Sequence, residues 1–466
     1  MKTMQKSSTK DAMKPLRIGA LAAGVLLGGM LAAGAPAANA APITLTVTGD
    51  TFAPNAAPTD KWWKIAAAVF EKAHPGVKVK IRNVVTNSES TYYAKLDLLE
   101  RSAATTPDVI WEDSFLVKSD AEAGYLAALP ELQSFEEYKS LYPTFKHMTA
   151  VHGTPYAMMV ETDVEQMYYD TNIFKRAGLP AAWKPKGLAD IIAAAEAIKA
   201  KVPGVIPLWI YIGTPQGEAS SFRGFQVLLD GTPDRLYDAR TKKWETGGPG
   251  FDAVFNFLAD LHDKHLAEGA SYWSNPNSRT VVDSQLMPEQ KVGIVLDGSW
   301  VSTGWLPTGA RPWPAAFTSY NVADVPTANG QPPGVTNLSG GWAMAIPAKS
   351  PHRKLALAFI ETATSLSLLA RYDSESGQIP VEANVASDPV FVKGIANDPL
   401  LQQAVTYART THYRPAFGPY NQITTDIQTI TGSLALGKMT AAQAEKAYAR
   451  DVMRAAGSGN VESHGK

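Results

Sequence analysis

The sequence predicts an α/β fold assembled from strand–helix–strand units, and three observations carry the prediction. Short apolar runs alternate with polar residues at period 2, the stretches between them are apolar at helical spacing, and this order repeats along most of the chain. The first unit shows all three. Ile43, Leu45 and Val47 alternate with Thr44, Thr46 and Thr48, as a half-buried strand requires. After a polar loop from Gly49 to Thr59, residues Trp62, Ile65, Ala66, Val69 and Ala73 fall at helical spacing, with Asp60 placed to cap the helix start. His74-Pro75-Gly76 ends that helix, and Val77, Val79 and Ile81 alternate with Lys78, Lys80 and Arg82 in a second strand. Strand, helix and strand in this order form the unit of a parallel sheet.

The unit recurs. A helix is expected from about Ser90 to Ser102, and Pro107 leads into the apolar run Asp108-Val109-Ile110-Trp111. Ligands in open α/β sheets sit beyond the carboxyl ends of strands, which makes the loops 49–59 and 111–116 candidate ligand loops. Glu165 to Tyr169 reads as a strand running into Asp170, a cap for the next helix. Helices are expected over Ala189 to Ala200, Phe251 to His262 and His352 to Thr364. Pro207 to Tyr211, Val292 to Leu296 and Ala343 to Ile346 have strand character. The tail from about residue 457 is small and polar and is expected to be unstructured.

Composition narrows the function. The chain has 466 residues, 45% hydrophobic and 19% charged, which suits two or three compact units of about 150 residues. With 43 Lys+Arg against 44 Asp+Glu there is no basic surplus to replace phosphate counterions, so no nucleic-acid partner is expected. The absence of Cys excludes disulfides, thiolate zinc sites, Cys nucleophiles and lipid attachment through Cys. Residues 1–40 read as a secretory signal peptide: Lys2, Lys6, Lys10, Lys14 and Arg17 precede an apolar run from Ile18 to about Leu31, and Ala38-Asn39-Ala40 offers a cleavage site after Ala40. The run is shorter than the ~20 residues that span a bilayer. A soluble monomer exported to a Gram-negative periplasm is the expectation. Its removal takes the net charge from −1 to −5 and leaves all 43 aromatic residues, 11 of them Trp, in the mature chain. Such a chain suits stacking on a neutral ligand better than capture of an anion.

Several runs together resemble the periplasmic sugar-binding proteins of ABC importers, the extracellular solute-binding family that includes maltose- and trehalose/maltose-binding proteins. They are the stretch from Phe70 to Val79, Thr106-Pro107-Asp108-Val109-Ile110-Trp111, Gly153-Thr154-Pro155-Tyr156-Ala157 with Met167 to Phe174, Gln290 to Ile294 through Gly298-Ser299-Trp300, and Gly340-Gly341-Trp342. Their order matches the family's over nearly the whole mature chain. The resemblance implies a two-lobe periplasmic binding protein (Venus-flytrap) fold whose hinge is crossed three times. Carried onto this sequence, the N-terminal lobe is 41–158 plus 323–371 and the C-terminal lobe 159–322 plus 372–466. It further implies binding without catalysis, no cofactor, a neutral sugar as ligand and transmembrane permease subunits as partners.

A pyranose presents an apolar C–H face to aromatic rings and a ring of hydroxyls to carboxylates, Arg and backbone groups. Trp300 and Trp342 each follow small residues at a strand edge and match aromatic ligand positions of the family. Trp111 ends a strand and stands as a third aromatic candidate. Glu112 and Asp113 follow it in the expected ligand loop, and at least one of the two is expected to contact ligand. Asp163, just past Tyr156, matches an acidic position of the first crossing, and Tyr156 joins the candidate set. Gly341 is expected to let backbone approach the ligand and present its N–H. Arg414, in Tyr413-Arg414-Pro415, is either a ligand contact or a bridge between lobes.

Competing chemistries lack their motifs. No G-x-S-x-G, H-E-x-x-H, G-x-x-x-x-G-K-[ST] or G-x-G-x-x-G occurs, and His262 with His265 sits in a charged helical stretch that reads as a solvated face, so no catalytic residue and no metal site is expected. Two rivals within binding remain: ferric iron through Tyr92-Tyr93 or Tyr168-Tyr169, and a glycerophosphate or sugar phosphate held by Arg414 or Arg371. A secreted glycosidase is the alternative of another class.

Overall fold

Leu45 and Val47 are fully buried while Ile43 remains exposed, so the opening alternation lays one face of a strand on a core. The computed structural model describes residues 42–50, 56–86, 89–267, 270–407 and 411–465. The signal peptide expected over 1–40 and residues 51–55 of the first candidate loop lie outside the described residues. The first elements are β1 (Ile43–Thr48), α1 (Ala56–Ala73), β2 (Val77–Ile81), α2 (Glu89–Glu100), β3 (Val109–Asp113) and α3 (Val117–Glu122). Asp60 does not cap α1. The helix already runs from Ala56, with Pro58 in its first turn where no N–H is needed, and Asp60 pairs with Lys64 at 2.5 Å.

The chain then supplies β4 (Ala157–Met159), β5 (Glu161–Thr162), β6 (Glu165–Asp170), β7 (Ile206–Trp209), β8 (Lys243–Thr246), β9 (Val292–Gly298), β10 (Tyr320–Ala323), β11 (Leu338–Ser339), β12 (Trp342–Ala345), β13 (Ile379–Pro380), β14 (His412–Tyr413) and β15 (Val461–Ser463). Asp170 caps the helix after β6, accepting from the backbone N–H groups of Asn172 and Ile173.

Two mixed sheets organise these strands. The first has the order β2–β1–β3–β12–β4, with β1 parallel to β2 and β3, and β12 antiparallel to β3 and β4. The second has the order β10–β6–β9–β7, with β9 parallel to β7 but antiparallel to β6. The strand–helix–strand reading holds for β1–α1–β2; the reversed strands enter where the chain arrives from the other sheet. Each sheet sits in its own core. One is built around Leu45, Val47, Trp63, Val109, Met158 and Met344, and the other around Met167, Ile198, Leu208, Phe255, Ile294 and Ile423.

These are two α/β lobes, and short strand pairs stitch the segments between them: β5 with β13, and β11 with β14. The crossings fall later than expected. Ala323, Val325, Ala328 and Leu338 still pack in the second core, which puts the second crossing at about 339–341 rather than 322–323. Tyr372, Ile379, Val385, Phe391 and Leu401 belong to the first core, so most of 372–404 does not fall with the C-terminal lobe, although Leu400 reaches the cluster behind the second sheet; the chain rejoins the second core at Ala416 and Tyr420. An apolar pattern states that a segment is buried and leaves open which core it serves. The tail also differs from expectation. β15 adds in parallel to β8, pairing Val461 with Trp244, because that strand offers an open edge and Val461 an apolar side chain to lay on the second core.

Candidate functional site

The site begins with the register of two antiparallel strands. Trp342 lies opposite Asp113, Ala343 opposite Glu112, and Met344 opposite Trp111. Opposed residues share a face and successive residues alternate, so Trp111, Asp113 and Trp342 stand on one side of the sheet and Glu112 on the other. Trp342 and Trp111 stack with ring centroids 5.9 Å apart and planes within 3°. Trp62 and Trp63 meet Trp111 from behind, each at 5.7 Å, while Tyr93 lies 6.2 Å from the Trp342 ring and Tyr92 5.8 Å from it. The Tyr93 hydroxyl donates to Asp113 Oδ2 at 2.7 Å, which joins the aromatic wall to the charged part of the site.

Charges from both lobes converge beside this wall. Arg414 Nη2 reaches Asp113 Oδ1 on the first lobe at 2.8 Å, and its Nη1 reaches Glu218 Oε1 on the second at 3.3 Å. The guanidinium carbon lies 4.5 Å from the Phe115 ring centre and 4.8 Å from that of Phe222, and Tyr420 donates its hydroxyl to Glu218 Oε1 at 2.7 Å. Burial pushes the Asp113 carboxyl up to about 6, while Arg414 and Tyr93 pull it down. Burial also works against the Arg414 charge, and Asp113 and Glu218 more than restore it. A second pair, Arg279 Nη1 to Glu89 Oε1 at 3.1 Å, again joins the lobes. Arg223 Nε contacts Glu165 Oε1 at 3.0 Å and Asp297 Oδ1 at 3.7 Å. Both Arg223 and Arg279 lie against the Trp300 ring, at 4.6 and 4.8 Å. Asp163 accepts from the Gly340 N–H at 2.8 Å; burial raises its carboxyl, and Arg223, Gly340, Arg414 and Arg279 all lower it.

Aromatic rings here stand beside paired charges drawn from two lobes, and comparison with known proteins shows the family in which this arrangement occurs. Residues 65–403 match the bacterial extracellular solute-binding proteins. The chain belongs to that family. This solute-binding protein is 24% identical over 266 residues to an uncharacterized ABC transporter extracellular-binding protein of Pyrococcus horikoshii, covering 56% of this chain and 53% of that one. The chain thus spans about half the length of the curated relative it matches. Among solved structures it resembles an ABC transporter solute-binding protein of Thermotoga lettingae bound with α-D-tagatose (24% identity, TM-score 0.72, covering 89% of this chain and 100% of that one). It also resembles the GacH receptor of Streptomyces glaucescens, solved unliganded and with acarbose (20% identity, TM-score 0.73, 89% and 98%). A third likeness is the maltose-bound MalE3 of T. maritima (17% identity, TM-score 0.72, 88% and 99%). These likenesses establish the two-lobe fold, and the family is one of binding proteins, not enzymes.

In the solute-binding protein Asp113, Asp163, Trp300, Trp342 and Arg414 come together, and the other four candidates do not. Trp111 is 2% exposed and forms the layer behind Trp342. Glu112 is fully buried on the opposite face of β3. Tyr156 packs half-buried against the first core at the start of β4. Gly341 serves the fold: with φ at +126°, a Cβ there would lie 2.2 Å from the Glu161 carbonyl oxygen, and its own carbonyl accepts from the Ser114 N–H at 3.0 Å. Trp300 is only 4% exposed, with its ring held by arginines. Sequence reasoning named Tyr93 only as a possible iron ligand and missed Glu89, Glu218, Arg223 and Arg279. Arg223 sits in a π-helical turn, Phe222–Gln226, where Gly224 packs against the Tyr211 carbonyl. A polar stretch from Gly213 to Gly224 without apolar periodicity was the available signal. Among the phosphate candidates, Arg371 is spent on Glu375 at 2.8 Å on the outer face of its helix.

Proposed function

We propose that this protein is the substrate-binding component of an ABC importer, exported through a cleaved leader to the periplasm, where it captures a neutral carbohydrate between its lobes. The single observation that carries this is the charge balance beside the Trp342 wall. Arg223, Arg279 and Arg414 each already hold a carboxylate, and Asp163 adds further negative charge. A phosphorylated ligand would have to displace a carboxylate from a buried arginine, whereas sugar hydroxyls can donate to the paired carboxylates and accept from the guanidinium edges without breaking either. Trp342 offers the stacking surface for the apolar face of a pyranose. A di- or oligosaccharide of α-glucoside type fits this combination, and the sugars named for the GacH receptor and MalE3 are consistent with it.

Asp113–Arg414 and Glu89–Arg279 are made only while the lobes are together, so ligand and ion pairs favour the same closed population, the form a permease would recognise. The test is a thermal-shift and tryptophan-fluorescence screen of the chain from Ala41 onward against neutral sugars, polyols, sugar phosphates and Fe(III). A neutral di- or oligosaccharide at 100 times its Kd should add about 2.7 kcal/mol of stability and be recovered unchanged. A response confined to phosphorylated compounds or iron would overturn the carbohydrate site, and recovery of cleaved sugar would point to a glycosidase.

A further inference from the structure

Glu112, turned away from the cleft, faces the end of α2 and the start of α3, where Glu100 and Asp120 converge on it. One carboxylate oxygen from each of the three lies within 4.8 Å of the other two. Glu112 is fully buried and Glu100 is 2% exposed. Among the described residues no side-chain donor reaches either oxygen of Glu112 or Oε1 of Glu100, and the adjacent Asp113 backbone N–H only partly eases the Glu112 charge. The charges that act on the three are one another and the carboxylates of Asp97 and Asp113. Arg101, next in the chain to Glu100, is turned outward onto Asp97 at 2.6 Å.

Buried carboxylates are ordinarily paired, hydrogen-bonded or bound to metal. Here Glu112 has no cationic partner among the described residues and only the adjacent Asp113 N–H to ease its charge, and its oxygens point at two further acids. The donor set is entirely oxygen, with no imidazole or thiolate, which is the chemistry of a hard cation and not of zinc. Ca²⁺ takes its ligands at about 2.3–2.6 Å, so donors on opposite sides of the ion stand up to about 5 Å apart, a span that the 4.8 Å cluster fits. Mg²⁺, with ligands at about 2.1 Å and several retained waters, suits a site closed around Glu112 less well. We propose that Glu100, Glu112 and Asp120 form a calcium site that ties α2, β3 and α3 together behind the ligand wall. The same α2 carries Glu89, Tyr92 and Tyr93, and the same β3 carries Asp113, so the ion would fix the elements that present the first lobe's half of the cleft.

The experiment needs no sugar. The chain from Ala41 onward, stripped with EDTA and exchanged into chelator-free buffer, is titrated with CaCl₂ by calorimetry and by thermal melting, in parallel with Glu112→Gln and Asp120→Asn. The expected result is one Ca²⁺ per chain, a melting point raised by several degrees at millimolar Ca²⁺, and at least a tenfold loss of affinity in each variant. Asp120→Asn, at a half-buried helical position, keeps the test usable if Glu112→Gln folds poorly. Wild-type protein that takes up no Ca²⁺ at 5 mM would overturn the proposal and leave the cluster as acids that share protons. Uptake with undiminished affinity in both variants would place the ion elsewhere and overturn it equally.

Discussion

Asp113 and Glu112 are consecutive on β3, and the pleat sends them into opposite surroundings. Asp113 meets the Arg414 guanidinium at 2.8 Å and the Tyr93 hydroxyl at 2.7 Å. Glu112 meets Glu100 and Asp120, and among the described residues neither a cation nor a side-chain donor reaches it. Both are buried, and burial raises both carboxyls. What separates them is compensation: a charge removed from water is tolerable when an opposite charge and its hydrogen bonds go with it, and costly otherwise. The side of the strand that meets Arg414 is built from completed pairs, and the far side carries a deficit that a cation can fill.

The largest test of that contrast is Arg414→Met. It strips the partner from Asp113 and Glu218 together, and leaving buried carboxylates unpaired should lower stability by about 3–5 kcal/mol in urea titration, with the sugar response lost. Arg353→Met makes the control: its 2.8 Å pair with Glu131 is solvent-exposed, and the loss should stay within about 1 kcal/mol. Equal losses would mean that the interlobe pair has no special standing.

Glu112→Gln and Asp113→Asn should differ in sign. In calcium-free buffer Glu112→Gln relieves an unpaired buried carboxylate and should raise stability by about 1–3 kcal/mol, whereas Asp113→Asn breaks a completed pair and should lower it. If both variants lose stability under EDTA, the two faces of β3 are not the electrostatic opposites described above. A smaller effect is expected at the wall. Trp342→Phe keeps an aromatic packed on Trp111 but shrinks the stacking surface, so sugar affinity should fall about tenfold, or ~1.4 kcal/mol, with a much smaller change in apo unfolding. Unchanged affinity would remove Trp342 from the site.

The same comparison explains what could be read in advance. Alternation at Ile43 to Thr48 and helical spacing from Trp62 to Ala73 depend on neighbours in the chain, and the corresponding elements formed as read. Trp342 and Asp113 were legible because each stands beside a strand end of recognisable pattern. Period 2 also implies that Glu112 and Asp113 cannot share a face, but not which of them turns to the cleft; that depends on the register with β12. Glu89, Arg279 and Glu218 were invisible for a similar reason. Their partners lie 190 and 196 positions away, on the other lobe or in the segment after the last crossing, and no local pattern encodes such a meeting. The late crossings at 339–341 and after 404 escaped because apolar residues carry no mark of the core they join.

Asp230 offers the finest gradation between the two carboxylates of β3, since it has charged help nearby but no ion pair. Its Oδ2 lacks a partner, burial pushes its carboxyl up to about 7, and Gln226 and Arg235 only partly oppose that. An unfolded Asp titrates near ~3.9. Between that value and about 7 the folded chain keeps a proton the unfolded chain has released, so stability must fall as pH rises through this window and level off above it. Asp230→Asn cannot lose that proton. Its melting point should match wild type near pH 4 and exceed it increasingly toward pH 8, by a small margin because the residue is partly exposed. Other buried acids tilt both curves alike, so the difference between them isolates Asp230. Parallel melting curves from pH 4 to 8 would mean that Arg235 already compensates the carboxylate, and would move Asp230 to the side of Asp113.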